Sequence, residues 1–254
     1  MSGAFLDSAV PIAFAHRGFS PVGWENSMTA FQAAVDLGYR YLETDVRTTA
    51  DGIALAFHDA SLNRMTNQRG RIADLSWDVV RTARIHGVEP IPRLVDLLAA
   101  WPDVRINLDV KSDTAVQAAI DAIRRTGAID RVCVAAFSDQ RIHAVRQALG
   151  PRLCTALGPR AALRLKLPRS ARGRLRIAGQ CAQVPARIGQ RVFVDARYLA
   201  AAHAHGLAVH VWTVNDAAEM TRLLDLGVDG IMSDRADVLR DLLIAREQWS
   251  NGPG

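Results

Sequence analysis

The sequence of 254 residues predicts an α/β protein, a (β/α)8 TIM barrel with a small insertion after the second strand. Short apolar runs alternate along the chain with helical patterns, the order typical of βα units and a parallel sheet. The length is typical of one such barrel, which takes about 250 residues. No linker rich in Pro, Gly or Ser divides the chain, so we expect residues 1–254 to form a single barrel domain.

Eight apolar runs have the length and composition of buried strands, which is the number that a closed barrel needs. They lie at residues 12–15, 41–45, 105–109, 132–136, 153–157, 181–184, 208–213 and 230–233.

The helix expected over residues 27–37 shows how the helical segments are recognised. Asn26 or Ser27 can cap its first amides, and Phe31 belongs to an apolar stripe at helical spacing. Gly38 supplies a left-handed end.

Residues 59–92 do not follow the repeat. They are rich in turn residues and contain one short helical stretch, around residues 76–82. We interpret this segment as an insertion after the second strand and its short extension, placed on the rim that carries the chemistry.

The composition, 49% hydrophobic and 22% charged, is that of an ordinary globular protein and excludes a disordered chain. No apolar stretch approaches the roughly 20 residues of a membrane span, and the amino terminus lacks the pattern of a secretory signal. Cys133, Cys154 and Cys181 are odd in number, lack Cys-x-x-Cys spacing and lie in apolar runs, so we expect buried core residues. Nothing indicates an oxidising compartment, and the cytoplasm is the expected location.

The net charge of +5 comes from one segment. Removing its seven basic residues would leave −2; they are Arg160, Arg164, Lys166, Arg169, Arg172, Arg174 and Arg176. Two interpretations explain these residues equally well. They form a solvated helix face, or they serve in peripheral contact with an anionic membrane or in attraction of a phosphorylated substrate. A nucleic-acid partner is not expected, because such proteins spread basic residues over a whole face. No obligate protein partner is evident.

Acidic residues end two of the predicted strands. Glu43 and Asp45 are two apart and therefore share a face of their strand, and Asp109 ends the next. Oxygen ligands favour a hard divalent ion, Mg²⁺ or Ca²⁺. Lys111 shares the face of Asp109 and could neutralise a phosphate, although a structural ion pair would explain the same residues.

Two histidines stand at strand ends as well. His16 and His58 can exchange protons at neutral pH, and cleavage of a phosphodiester needs one base and one acid. Arg17 offers a planar fork for phosphate oxygens. For the other five histidines a surface or satisfied structural role is expected; they are His86, His143, His203, His205 and His210.

These motifs together resemble the glycerophosphodiester phosphodiesterase family. The resemblance covers residues 14–238 and is carried by His16-Arg17-Gly18, Glu25-Asn26-Ser27, Glu43-x-Asp45, Thr49-x-Asp51-Gly52, His58-Asp59, Ile91-Pro92-x-Leu94, Trp212-Thr213-Val214-Asn215 and Gly227-Val228-Asp229-Gly230-Ile231-x-Ser233-Asp234.

The resemblance implies a (β/α)8 barrel, a divalent metal, and hydrolysis of a small glycerophosphodiester to sn-glycerol 3-phosphate and an alcohol. It assigns acid–base roles to His16 and His58, metal ligation to Glu43 and Asp45, and phosphate binding to Arg17 and Lys111. Asp109 is the third expected metal ligand, although the family usually has the longer Glu there. Trp212 is expected to contact the substrate. Glu25, Asn26 and Asp59 are expected to support these groups.

Two other functions remain open from the sequence. The basic segment favours a phospholipase D-like enzyme that acts on intact phospholipids or lysophospholipids. A non-catalytic phosphate- or nucleic-acid-binding module is the third hypothesis, because Asp109 could mark a decayed site. The alcohol, the native metal and the nucleophile, either water or a substrate hydroxyl, stay undetermined.

Overall fold

The computed structural model describes residues 4–168 and 177–249. Eight parallel strands form a nearly closed TIM barrel surrounded by helices, as the sequence predicts. Along the sheet they are β8 (Cys154–Thr155), β7 (Val132–Ala135), β6 (Arg105–Val110), β2 (Tyr41–Thr48), β1 (Ile12–His16), β13 (Gly230–Ser233), β12 (Ala208–Trp212) and β9 (Cys181–Pro185). An isolated parallel bridge between Ala156 and Cys181 brings the two ends of the sheet together.

All eight predicted strands are present, with ends that differ by a few residues. The largest differences are β8, which has two strand residues where the sequence predicts five, and β2, which has eight where the sequence predicts five. Extra strands pair outside the barrel. They are β3 (Ala54–Ala56), antiparallel to β2, and the hairpins β4 (Arg84–Ile85) with β5 (Glu89–Pro90) and β10 (Arg187–Ile188) with β11 (Arg191–Val192).

The helices of the described residues pack on the outside of the barrel or lie in its loops. They are α1 (Met28–Asp36), α2 (Trp77–Val80), α3 (Leu94–Ala100), α4 (Thr114–Thr126), α5 (Asp139–Leu149), α6 (Pro159–Leu165), α7 (Ala196–His203), α8 (Ala217–Leu226) and α9 (Ala236–Ala245). None of them is long and apolar enough to cross a membrane.

Helix α1 begins where the sequence predicts. The Ser27 hydroxyl accepts a hydrogen bond from the Ala30 amide and caps the helix, so of the two candidate caps the serine is the one used. Gly38 follows the helix with φ +92°. Asn26 is thereby left free for the site.

The insertion packs around a small apolar core that it shares with Leu55 of β3 and with Phe57. The insertion itself contributes Leu62, Met65, Ile72, Val80, Ala83, Ile85 and Ile91. The expected helical stretch is there as the single turn of α2. This small core holds the segment against the carboxyl end of β2 and β3, which is where the ionisable residues lie.

The barrel interior is layered because alternate strand residues face inward. In β1 and β2 the lower positions are apolar, with Ile12, Phe14 and Tyr41 packed below, while His16 and Asp45 lie at the upper end. The Phe5 ring closes the lower end against Phe14 and Tyr41. The interior is therefore a packed core below and a polar site above.

Candidate active site at the carboxyl ends of the strands

A cavity of about 420 Å³ opens at the carboxyl ends of the barrel strands. It collects all eight residues that the sequence marked as catalytic, metal-binding or substrate-binding: His16, Arg17, Glu43, Asp45, His58, Asp109, Lys111 and Trp212. The strand register explains this, because His16 is the neighbour of Glu43 and Asp45 is the neighbour of Asp109. The supporting residues Glu25, Asn26 and Asp59 contact this set from behind.

His16 is held by a carboxylate at the end of the neighbouring strand, β13. Its Nδ1 lies 2.6 Å from Asp234 Oδ1, and Asn215 Nδ2 donates to Asp234 Oδ2 at 2.7 Å. With Nδ1 occupied in this way, Nε2 is the nitrogen that faces the cavity, 3.7 Å from Glu43 Oε2. Burial by itself would lower the pKa of His16, but Glu43 and Asp234 outweigh it and the pKa is raised.

Sequence reasoning did not find Asp234 and Asn215 as site residues. Both stand in motifs that carry the resemblance, but the contact joins positions 16 and 234, at opposite ends of the chain. It exists because β1 and β13 are neighbours in the closed barrel. Their positions in these motifs are the sequence signal that marks Asn215 and Asp234. The contact of Asp234 with His16 forms only when the barrel closes.

His58, which lies next to the insertion, is held by an aspartate in the same way as His16. Its Nδ1 lies 2.7 Å from Asp59 Oδ1, and Arg64 Nε donates to Asp59 Oδ2 at 2.6 Å. Arg64, with a smaller contribution from His58, lowers the pKa of Asp59 to about 2, so this carboxylate is ionised at neutral pH. Arg64 also donates to Glu25 and so joins the two supporting carboxylates.

Asp45 lies at the centre of the polar half of the cavity. Arg17 Nε is 2.9 Å from Oδ2, Lys111 Nζ is 2.7 Å from Oδ1, and Asn26 Nδ2 donates to Oδ2 at 3.1 Å. Burial would raise the pKa of Asp45, but the two cations outweigh it and the pKa is lowered. Asp45 is therefore ionised, and both its oxygens have partners.

The turn that presents Arg17 is left-handed. Arg17 has φ +58° and Gly18 has φ +84°. A Cβ on Gly18 would lie 2.6 Å from the carbonyl carbon of Ala30, so only glycine fits between this turn and helix α1. Packing against α1 thus fixes the direction in which Arg17 leaves the strand.

The other two carboxylates are less completely satisfied. Burial, together with the charge of Asp45, raises the pKa of Glu43 to about 7. Asp109 Oδ2 accepts from Lys111 Nζ at 2.5 Å, while its Oδ1 is buried with no hydrogen-bond partner among the described residues. The buried Glu43 carboxyl is thus stabilised by binding either a proton or a cation, and Asp109 Oδ1 is available as a ligand.

The carboxylates of Glu43, Asp45 and Asp109 have the chemistry of ligands for a hard divalent cation. All three are carboxylates facing one cavity, which is the ligand type of Mg²⁺ and Ca²⁺. Lys111 Nζ lies between Asp45 and Asp109 and binds both. The carboxylate oxygens of Glu43, Asp45 and Asp109 do not all lie within 4.8 Å of one another. Metal binding therefore requires Lys111 to move, and the metal stays a prediction.

The opposite half of the cavity is apolar. Its wall includes Phe137, Leu163 and Ile188, whose side chains are 66%, 54% and 55% exposed, and the ring of Trp212. The Phe137 ring packs edge-on against Trp212 and lies 5.9 Å from Lys111 Nζ. An apolar surface thus begins directly beside Lys111.

The basic segment lies next to this wall only in part. Arg160 and Arg164 are on helix α6, which follows the fifth barrel strand, and Arg160 is 90% exposed. Lys166 instead donates to Asp195 and to the Phe193 carbonyl, so it forms a structural ion pair. Four residues of the segment lie outside the described residues: Arg169, Arg172, Arg174 and Arg176.

A polar site built at the carboxyl ends of barrel strands is where TIM-barrel enzymes carry out their chemistry, and the fold and the site together define this class. The sequence profile of the "Glycerophosphoryl diester phosphodiesterase family" matches residues 16–238. The chain therefore belongs to the glycerophosphoryl diester phosphodiesterase family.

Individual relatives agree with this. The "Probable glycerophosphodiester phosphodiesterase 2" of Mycobacterium tuberculosis is 40% identical over 251 residues, which cover 96% of this chain and 95% of the relative. A phosphodiesterase of Oleispira antarctica, solved in complex with the product sn-glycerol-3-phosphate, has a TM-score of 0.77 at 21% identity, covering 92% of this chain and 97% of that one. A glycerophosphodiester phosphodiesterase of Agrobacterium tumefaciens has a TM-score of 0.75 at 21% identity, covering 91% and 98%.

Proposed function

We propose that this protein hydrolyses glycerophosphodiesters to sn-glycerol 3-phosphate and an alcohol, with a divalent metal bound and with His16 and His58 carrying the proton transfers. The observation that carries the proposal is the pair of imidazoles, each held through Nδ1 by an aspartate, at one cavity with three carboxylates. The family and the product bound to the Oleispira antarctica phosphodiesterase support the same reaction.

The remaining groups divide the work of holding the diester. Arg17 and Lys111 are the cations of the cavity that can bind non-bridging phosphate oxygens. Glu43, Asp45 and Asp109 would hold Mg²⁺ or Ca²⁺. The bound ion would neutralise the charge of the diester and stabilise the charge that develops in the transition state. With an ion held by these carboxylates, Lys111 would no longer be needed to neutralise Asp45 and Asp109, and its ammonium would be free to bind the phosphate.

The primary test is a panel of glycerophosphodiesters assayed for release of glycerol 3-phosphate. We expect turnover that EDTA abolishes and that Mg²⁺, Ca²⁺ or Mn²⁺ restores. Turnover that persists undiminished in EDTA after dialysis would contradict the metal. Absence of turnover on every diester with every ion would contradict the function.

The histidine roles are tested by His16→Ala and His58→Ala. Loss of a general acid or base costs roughly 10²–10⁴-fold in rate, so kcat should fall by that order in both variants. His143→Ala, an exposed histidine on α5, is the matched control and should keep full turnover. A His58→Ala variant with full metal-dependent turnover would rule out the proposed role.

The apolar wall favours a second candidate, turnover of a lipid that keeps one hydrocarbon chain. Leu163 and Ile188 leave apolar surface exposed at the cavity, and Arg160 nearby suits an anionic lipid surface. We also propose peripheral contact with a membrane and a cytoplasmic location. A hydrocarbon chain lying on this wall would explain surface that a choline or glycerol group leaves uncovered.

The test compares kcat/KM for a lysophospholipid, kept below its micelle concentration, with that for the matching deacylated diester. Leu163→Ser and Ile188→Ser should each lower the ratio of the two values roughly tenfold, since each removes one apolar contact. Ile244→Ser, equally exposed on α9, is the control and should leave the ratio unchanged. An unchanged ratio in all three variants would remove the lipid candidate and leave the first proposal intact.

A further inference from the structure

Three cysteines face one another inside the barrel, directly below the floor of the cavity. Cys133 is on β7, Cys154 on β8 and Cys181 on β9, and all three are fully buried. Their sulfur atoms all lie within 4.8 Å of one another, and the Cys133 and Cys181 sulfurs are 3.7 Å apart. Burial agrees with the sequence expectation, but the convergence of three thiols from three strands goes beyond it.

The sulfur atoms lie in a packed, mainly apolar cluster next to the cavity. Phe14, Tyr41 and Met232 belong to the same buried cluster. Gln183 lines the cavity above, lies 3.9 Å from the Cys133 sulfur through Nε2, and donates to Asn107 Oδ1 at 2.7 Å. Gln183 is thus one of the side chains that lie between the cavity and the thiols.

We propose that Cys133, Cys154 and Cys181 form a three-sulfur binding site for a thiophilic centre of the trivalent arsenic class. Three thiols displace the three hydroxyls of neutral arsenous acid: three S–H and three As–O bonds break, three As–S bonds form, and three water molecules leave. No electron is transferred. The complex is uncharged.

The geometry and the surroundings support a three-coordinate, uncharged complex. Two sulfur atoms bonded at about 2.3 Å to one pyramidal centre, with an angle of about 100° between the bonds, lie about 3.5 Å apart. The Cys133 and Cys181 sulfurs, 3.7 Å apart, therefore need only a small approach to bind one such centre. Zinc prefers a fourth ligand, but among the described residues the cluster of possible ligands at this place contains these three alone. Zinc held by three thiolates would also bury a net negative charge in an apolar cluster, which is costly.

One of the thiols is prepared for the reaction. Hydrogen bonds from the Cys133 and Cys181 thiols, with the Arg146 guanidinium nearby, lower the pKa of Cys154 to about 5. A thiolate is the nucleophilic form of cysteine. Cys154 is therefore the thiol of the three that gives up its proton most readily, and that proton leaves with the first displaced hydroxyl as water.

The experiment uses the full chain, reduced with a phosphine that does not bind arsenic, and arsenite as the probe. The protein is exposed both in its native state and during refolding from urea, desalted, and analysed by native mass spectrometry and by arsenic X-ray absorption. We expect one arsenic per chain with three sulfur neighbours and no oxygen neighbour. No retained arsenic after either treatment would overturn the proposal.

Variants locate the site. Cys133→Ala, Cys154→Ala and Cys181→Ala should each weaken arsenite binding at least 100-fold, because each removes one of three bonds. Met232→Leu, which removes a sulfur of another kind from the same cluster, should keep full binding. Equal binding by any single cysteine variant would overturn the proposal. If a variant fails to fold, the number of sulfur neighbours in the absorption spectrum of the unmodified chain still tests the site: fewer than three would overturn the proposal.

Discussion

At the residue scale, the two histidines of the site share one arrangement. Asp234 holds Nδ1 of His16, and Asp59 holds Nδ1 of His58. Each aspartate has a further donor, Asn215 in one case and Arg64 in the other. Because Nδ1 is occupied in both rings, Nε2 is the nitrogen that would exchange protons in the reaction proposed above.

Asp234→Asn tests this positioning role. The amide nitrogen can donate to Nδ1 and so favour the wrong tautomer of His16, and kcat should fall roughly 10–100-fold, the cost of losing an orienting partner of an active-site group. KM should change much less, and the pH–rate profile should shift. Asp237→Asn, whose carboxylate pairs with Arg235, is the control. An unchanged kcat and profile would show that Asp234 has a structural role alone.

Asp109→Glu tests the proposed metal site. Asp109 Oδ1 is buried and without a hydrogen-bond partner among the described residues, and the longer side chain extends the carboxylate by about 1.5 Å. We expect Mg²⁺ or Ca²⁺ to bind several-fold more tightly, measured by calorimetry and by the ion concentration for half-maximal turnover. Asp113→Glu, exposed at the start of α4, is the control. Ion binding equal to that of the unmodified chain would mean that Asp109 does not ligate.

At the element scale, helix α1 connects the fold with the site. Its cap Ser27 follows Asn26, which donates to Asp45, and its backbone at Ala30 lies against Gly18 in the turn that carries Arg17. The position of this helix therefore sets the positions of two side chains of the site.

Ser27→Ala should cost about 1 kcal/mol of unfolding free energy, because one buried amide at the helix start loses its acceptor. For a chain of this size that corresponds to a fall in Tm of roughly 2–4 °C, measured by calorimetry. Ser112→Ala, at an exposed hydroxyl, should leave Tm unchanged. A Tm equal to that of the unmodified chain would show that the cap contributes nothing.

At the scale of the whole molecule, barrel closure buries a histidine that takes no part in the proposed chemistry. His210 is fully buried on β12, against the Phe14 ring, and its Nε2 has no hydrogen-bond partner among the described residues. Burial lowers the pKa of His210 to about 4. The structural role expected from the sequence holds in part: Nδ1 lies 3.4 Å from Gln183 Nε2, whereas the interior strand position leaves Nε2 without a partner among the described residues.

His210 should make the protein acid-sensitive. Between pH 4 and about pH 6.5 the unfolded chain binds a proton that the folded chain does not, so stability is complete above pH 6.5 and falls as the pH drops toward 4. The loss is at most about 3 kcal/mol. Urea unfolding at a series of pH values measures it.

His210→Gln should flatten this acid limb relative to the unmodified chain, whatever its effect on stability at pH 7.5. His143→Gln, exposed on α5, should leave the limb as it is. An identical slope in the His210 variant would show that other groups cause the acid sensitivity.

The sequence by itself determined the order of the strands, the barrel and the polar residues at the strand ends, because hydrophobic periodicity and the two-residue repeat of a strand are local properties. It also placed His16, Glu43, Asp45 and Asp109 on the strands that bring them together. Closure of the barrel decided the rest. The contact of Asp234 with His16 and the meeting of three cysteines join residues far apart in the chain, and no local pattern encodes which strands become neighbours when a sheet closes.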